Sequence, residues 1–143
     1  MKTPYYIFCI ICICVLILHT ACGTKPDILE GKWERFDDHA AGAMVKVEQK
    51  GDVLQGMLFQ ATGELANLGF VAKDIKWKDI KRKENNYYIG FDLQKSTNAN
   101  GEVVKSEYIE AQFKLVSDDI LEIAAFSNNA DIFGTTQKWK RIE

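Results

Sequence analysis

The chain has 143 residues, 47% of them hydrophobic, and a formal net charge of −2. That length suits one domain with a core of its own and leaves too little for two. So slight an acidity excludes a protein built around attraction to a phosphate backbone, and no nucleic-acid partner is expected.

Residues 1–21 read as a leader. Lys2 and the amino terminus supply positive charge, and Tyr5 to Leu18 forms an apolar run. Its length is near the roughly 7–15 residues of a signal-peptide core and short of the about 20 that a spanning helix needs. Thr20, Ala21 and then Cys22 resemble the lipobox at which bacterial lipoproteins are cleaved and lipidated, with Leu18 one place farther from the cysteine than usual. The resemblance implies a signal peptide over 1–21 and a lipid such as palmitate on Cys22. Residues 22–30 then form a lipidated tether. Gly23, standing where an aspartate would hold the protein back, implies onward transport to the outer membrane. Cys9, Cys12 and Cys14 leave with the leader as hydrophobic filler, so no thiolate metal site or disulfide is expected in what remains.

Beyond the tether apolar residues recur with period two, the mark of half-buried strands. Eight are predicted, near 31–36, 43–49, 53–60, 74–82, 86–94, 103–116, 120–126 and 132–142. Val45 and Val47 lie on one face of the second, and a Lys50-Gly51-Asp52 turn leads into the third, where Val53, Met57 and Phe59 alternate with Leu54, Gly56 and Leu58. A short helix fits only within Gly63 to Leu68. The fourth strand lies in a basic stretch from Lys73 to Lys83, read as a solvated strand face that blunts aggregation in preference to a contact with anionic headgroups. In the fifth, Tyr87, Ile89, Phe91 and Leu93 oppose Tyr88, Gly90 and Asp92; in the sixth, Ile109, Ala111, Phe113 and Leu115 oppose Glu110, Gln112 and Lys114. Gly56, Gly90 and Gly134 fall on the face opposite the mainly apolar set, where a missing side chain lets a strand coil toward closure. The expected fold is therefore all-β: an eight-stranded antiparallel up-and-down barrel over residues 31–143.

Gly31-Lys32-Trp33 at the start and Lys138-Trp139-Lys140-Arg141 at the end resemble the calycin superfamily of lipocalin-like barrels. The segment from Gly134 to Ile142 is also similar to the end of a family of small exported bacterial proteins of uncharacterised function. The lipocalin resemblance implies that Trp33 packs beneath Arg141 where the first and last strands close, with Trp139 beside them. A guanidinium stacked on an indole would seal that end.

Little in the sequence points to catalysis. His39 is the only histidine after the leader, and Asp37-Asp38-His39 reads as a solvated loop in preference to a metal site or an acid–base pair. No serine sits in a nucleophile elbow and no glycine-rich phosphate loop is present, so neither an enzyme nor a cofactor is expected. If the apolar faces point inward, Met57, Phe59, Trp77, Ile89, Phe91 and Phe113, with Trp139, line the lumen, and Gln55, Glu107 and Gln137 add sparse polar groups. Such walls suit a small apolar or amphipathic ligand. Ala61 to Val71 would be a mobile cover, its Leu65 and Leu68 facing a ligand, the lumen mouth, or Leu54 and Leu58 exposed on the neighbouring strand. Barrels of this size can instead be filled by their own side chains. The competing expectation is an envelope module that acts through its outer surface.

Overall fold

The computed structural model describes residues 25–126 and 136–143. The leader, Cys22 and Gly134 lie outside the described residues. Eight strands run β1 Gly31–Phe36, β2 Met44–Lys50, β3 Val53–Gln60, β4 Ile75–Glu84, β5 Tyr87–Thr97, β6 Val103–Ser117, β7 Ile120–Ala125 and β8 Gln137–Arg141. Each pairs antiparallel with the next and β8 pairs with β1, closing an up-and-down barrel in strand order 1 to 8. Closure leaves β1 and β8 no open edge between them, with Glu34 opposite Lys140 and their side chains 3.1 Å apart.

The end where β1 begins is called lower here. Tight turns close it at Gly51-Asp52, Asn85-Asn86 and Asp118-Asp119, and Gly51 takes the positive φ of 63° that its hairpin requires. Longer connections gather at the upper end, among them the segment between β3 and β4 that holds a short helix, α1 (Gly63–Asn67). β6 outruns β7: Val103 to Ile109 pair with β5, while β7 joins β6 only from Ala111 onward.

Residues 27–30, expected to be part of a free tether, belong to the barrel. Leu29 is fully buried at the lower end, and its backbone amide donates to Asp27 Oδ1 at 2.9 Å. Asp27 Oδ1 also accepts from the Tyr88 hydroxyl at 2.6 Å, and Asp27 Oδ2 from Arg82 Nη2 at 2.9 Å. Burial pushes the Asp27 carboxyl up, but the bonds from Tyr88, Leu29 and Arg82 outweigh it and hold the group below its ordinary value. The Tyr88 phenol rises far above its own, through burial first and its bond to Asp27 second.

Candidate functional site

Closure at the lower end is built on three residues. Trp33 and Arg141 are Cα partners across the β1–β8 seam, and the guanidinium carbon lies 4.3 Å from the indole centroid. Arg141 also donates to the carbonyls of Glu30 at 2.7 Å, Ile28 at 2.5 Å and Asp118 at 2.9 Å, while the Trp33 indole N–H donates to the Leu29 carbonyl at 3.0 Å. One cation near the end of the chain thus satisfies carbonyls of the segment before β1 and of the β6–β7 turn. Gly31 is required beside it: an added Cβ would fall 2.6 Å from Arg141 Nη1, on a backbone with φ of 136°. Trp139 sits deeper, on the inner face of β8.

Above this seal the interior is filled with rings. Trp77 meets Trp139 edge to face at 4.9 Å and Phe113 at 5.6 Å, and all three are fully buried. Trp77 and Phe113 therefore face inward as expected. Met57, Phe59, Ile89 and Phe91 do not. β3 buries Leu54, Gly56 and Leu58, and β5 buries Tyr88, Gly90 and Asp92, which turns the four expected lumen residues to the outer wall. Leu54 and Leu58 are accordingly core residues and not an exposed patch. Gln55 shares the outer face of β3, Glu107 is exposed on β6, and Gln137 is buried.

The glycines explain the reversal. A Cβ on Gly56 would lie 2.5 Å from the Trp77 indole and 2.9 Å from Val45 Cγ1; one on Gly90 would lie 2.9 Å from Ile80 Cγ1. Both residues face the interior and leave room for larger neighbours. Pattern reading placed them outside because a glycine adds nothing to the apolarity of its face.

Toward the upper end the interior turns polar. Lys76 and Asp92 form a fully buried ion pair, and Lys76 Nζ also donates to the Leu93 carbonyl at 2.7 Å. Asp92 Oδ2 accepts from Gln94 at 2.5 Å and from Gln137 at 2.9 Å. Burial pushes the Lys76 ammonium below its ordinary value; Asp92 pulls it back and Arg35 adds to the fall. Arg35 leans over Trp139 at 5.7 Å and is held by Asp38, its Nε donating at 2.7 Å. Among the described residues the Trp77 and Trp139 indole N–H groups and Gln137 Oε1 are buried with no partner. Pattern reading missed Lys76 and Asp92. On β5 the signal available was an aspartate in a run otherwise apolar from Tyr87 to Leu93, whereas on β4, most of whose residues are charged, nothing singles out Lys76.

The segment from Ala61 to Val71 covers this end. Leu65 and Phe70 are buried, Leu68 packs on the core, and the Phe70 ring lies between Lys76 Nζ at 5.1 Å and Lys95 Nζ at 5.0 Å. The Glu64 amide donates to the His39 carbonyl at 2.9 Å, the Thr62 hydroxyl to Ala41 at 2.9 Å, and Lys95 Nζ to Gly69 at 3.1 Å. These bonds anchor both ends of the cover, whose apolar side chains face the barrel. The loop carrying Asp37, Asp38 and His39 serves the same end: Asp38 accepts from Arg35 and from the Ala40 amide at 2.9 Å, and the exposed His39 contributes its carbonyl. Among the described residues no group of three or more His, Cys, Asp or Glu side chains could hold a metal ion.

Compared with known proteins, the chain matches no family model, no curated protein and no solved structure.

Proposed function

We propose that this is an exported protein held by lipid on Cys22 to a bacterial envelope membrane, the outer membrane by the residue after the cysteine. Its lipocalin-like barrel is a packed scaffold that works through its outer surface. The observation that carries the second half is the ring of Trp77, Trp139 and Phe113 filling the interior while Met57, Phe59, Ile89 and Phe91 point outward. A lumen in which indole and phenyl rings touch edge to face, with Gly56 making room for Trp77, has been fitted to its own side chains. The first half is supported by the leader, whose apolar run ends at Thr20, Ala21 and Cys22. No cofactor and no catalytic residue enter this reading. Feeding cells an alkyne-tagged palmitate tests the anchor: the wild type takes up label and sediments with membranes, and Cys22→Ala accumulates as unlabelled precursor. Equal labelling of the two removes the anchor from the account.

One observation favours a second reading, a small amphipathic ligand under the cover. Two indole donors and an amide oxygen lie buried without partners beside the Lys76–Asp92 pair, and a ligand's polar head could meet them. Loosening the cover with Phe70→Ala should then raise the on-rate of such a ligand, read by tryptophan fluorescence. If no member of an amphiphile panel changes that fluorescence in either protein, the second reading fails and the packed scaffold stands.

A further inference from the structure

The reversal of β3 and β5 leaves an unexplained wall. Across the outer faces of β4, β5 and β6 the register sets Lys78, Phe91 and Glu110 side by side, then Lys81, Ile89 and Gln112, with Tyr87 beside Lys114 one step lower. A lysine row thus runs beside a half-buried apolar row, and Lys78 Nζ lies 4.0 Å from the Tyr108 ring centroid and 5.8 Å from that of Phe91. Lys81 and Lys83 are exposed. Asp79, Glu84 and Glu110 share the wall, and with Lys78, Lys81, Lys83 and Lys114 present the bases still exceed them on a chain whose overall charge is −2.

The chain start lies at the same place. Asp27, the first residue tied to the barrel, is bonded to Arg82 of β4 and to Tyr88 of β5, so the polypeptide passes the lower end of β4 and β5 before Ile28 and Glu30 meet Arg141 of β8. From Asp27 back to Cys22 an extended chain reaches about 17 Å. A lipid at Cys22 therefore holds the lower β4–β5 edge close to its bilayer. Interfacial aromatic rings, half-buried aliphatics and lysines in a row are the groups that rest at a headgroup layer, and each lysine there strengthens attachment to anionic lipid.

We infer that the outer wall formed by β4, β5 and β6 is the face that lies on the membrane, with anionic phospholipid headgroups as its partner. The inference rests on the proposed anchor and deepens it: the surface toward the bilayer is specified, and the β8–β1–β2 wall is left turned away. Ile89 and Phe91, turned outward by the packing of the interior, have there a headgroup layer to meet. Lys78, which as part of a solvated face would need no aromatic neighbours, acts with them, and Lys81 and Lys83 extend its row.

The test uses the full chain produced in a bacterium, purified from membranes and reconstituted on vesicles of phosphatidylcholine alone or with phosphatidylglycerol. A water-soluble acetylating reagent is applied briefly and each lysine is read by mass spectrometry. Acetylation of Lys78, Lys81 and Lys83 should slow by about fivefold on the anionic vesicles relative to the neutral ones. Lys46, Lys138 and Lys140 on the opposite wall should keep their rates. Equal rates at both walls, or protection of the opposite wall, overturns the inference. The same digest reports whether the Cys22 peptide carries lipid, so loss of the anchor is read separately from loss of the face. Replacing Lys78, Lys81 and Lys83 by Gln, changes at side chains on the outer wall, should release Lys114 to its rate on neutral vesicles; continued protection of Lys114 would contradict the lysine row as the contact.

Discussion

Gly56 offers the sharpest probe of the packed interior. In Gly56→Ala the new methyl would stand 2.5 Å from the Trp77 ring and 2.9 Å from Val45, both buried, so the indole must shift. Overpacking of this kind costs about 1–3 kcal/mol, and replacing a strand glycine by alanine returns roughly 0.5–1 kcal/mol through the unfolded chain. A net loss centred on about 1 kcal/mol is expected, near 4 °C in Tm for a domain of this size. In a Trp77→Phe background the closest indole atom, 2.5 Å away, is gone while the contact with Val45 remains, so Gly56→Ala should cost clearly less than in the wild type. The four proteins form a double-mutant cycle, measured by urea unfolding of a chain beginning at Lys25 and followed by circular dichroism. An equal effect of Gly56→Ala in both backgrounds would refute the claim that this glycine exists to admit the indole.

Four further outcomes follow from the same contacts. Arg141→Lys keeps the charge but cannot reach the carbonyls of Ile28, Glu30 and Asp118 together, so it should lower stability by about 1.5 kcal/mol or more; an unchanged urea midpoint would remove the guanidinium from closure. Leu29→Ala should cost about 2–5 kcal/mol, whereas Ile28→Ala at a site 43% exposed should cost little, and equal effects would return residues 27–30 to the tether. Lys76→Met strands a buried carboxylate and should cost roughly 3–5 kcal/mol, much of it recovered in Lys76→Met/Asp92→Leu; simple additivity would contradict a coupled pair. Asp27 has its pKa lowered in the fold, so its contribution holds above the ordinary value of 3.8 and is lost as pH falls through the folded one; Tyr88 is raised, so its contribution holds below 10.0 and is lost as pH climbs beyond that. Tyr88→Phe should therefore flatten both arms of a plot of urea midpoint against pH, and wild-type slopes retained at both extremes would exclude this pair as their source.

The strand count, the order and the closing pair could all be read from period-two alternation and from Gly31-x-Trp33 with Arg141 at the far end. Which face of each strand points inward could not. On β5 one face reads Tyr87, Ile89, Phe91 and the other Tyr88, Gly90, Asp92, and apolarity alone chooses the first. The interior chooses the second, because Tyr88 is spent on the lower seal, Gly90 yields to Ile80, and Asp92 is neutralised by a lysine that arrives from β4. None of those partners is local in sequence. The irregular register of β4 also hides the site: Lys76 and Trp77 are both buried although adjacent, as pairing with β3 slips between Gly56 and Met57. Alternation fails where the ladder breaks, and the buried ion pair sits at that break.

The chain has three tryptophans, Trp33, Trp77 and Trp139, and all are fully buried. Their indole N–H signals give one direct reading of whether the barrel is a filled scaffold or a ligand chamber. In a proton–nitrogen correlation spectrum of labelled protein, a filled barrel gives three resolved indole peaks. All should exchange slowly with deuterated solvent and stay in place when fatty acids, lysolipids and aromatic compounds are added. A saturable shift of the Trp77 and Trp139 peaks with any of these compounds, leaving Trp33 unmoved, would contradict it and put the function inside the barrel.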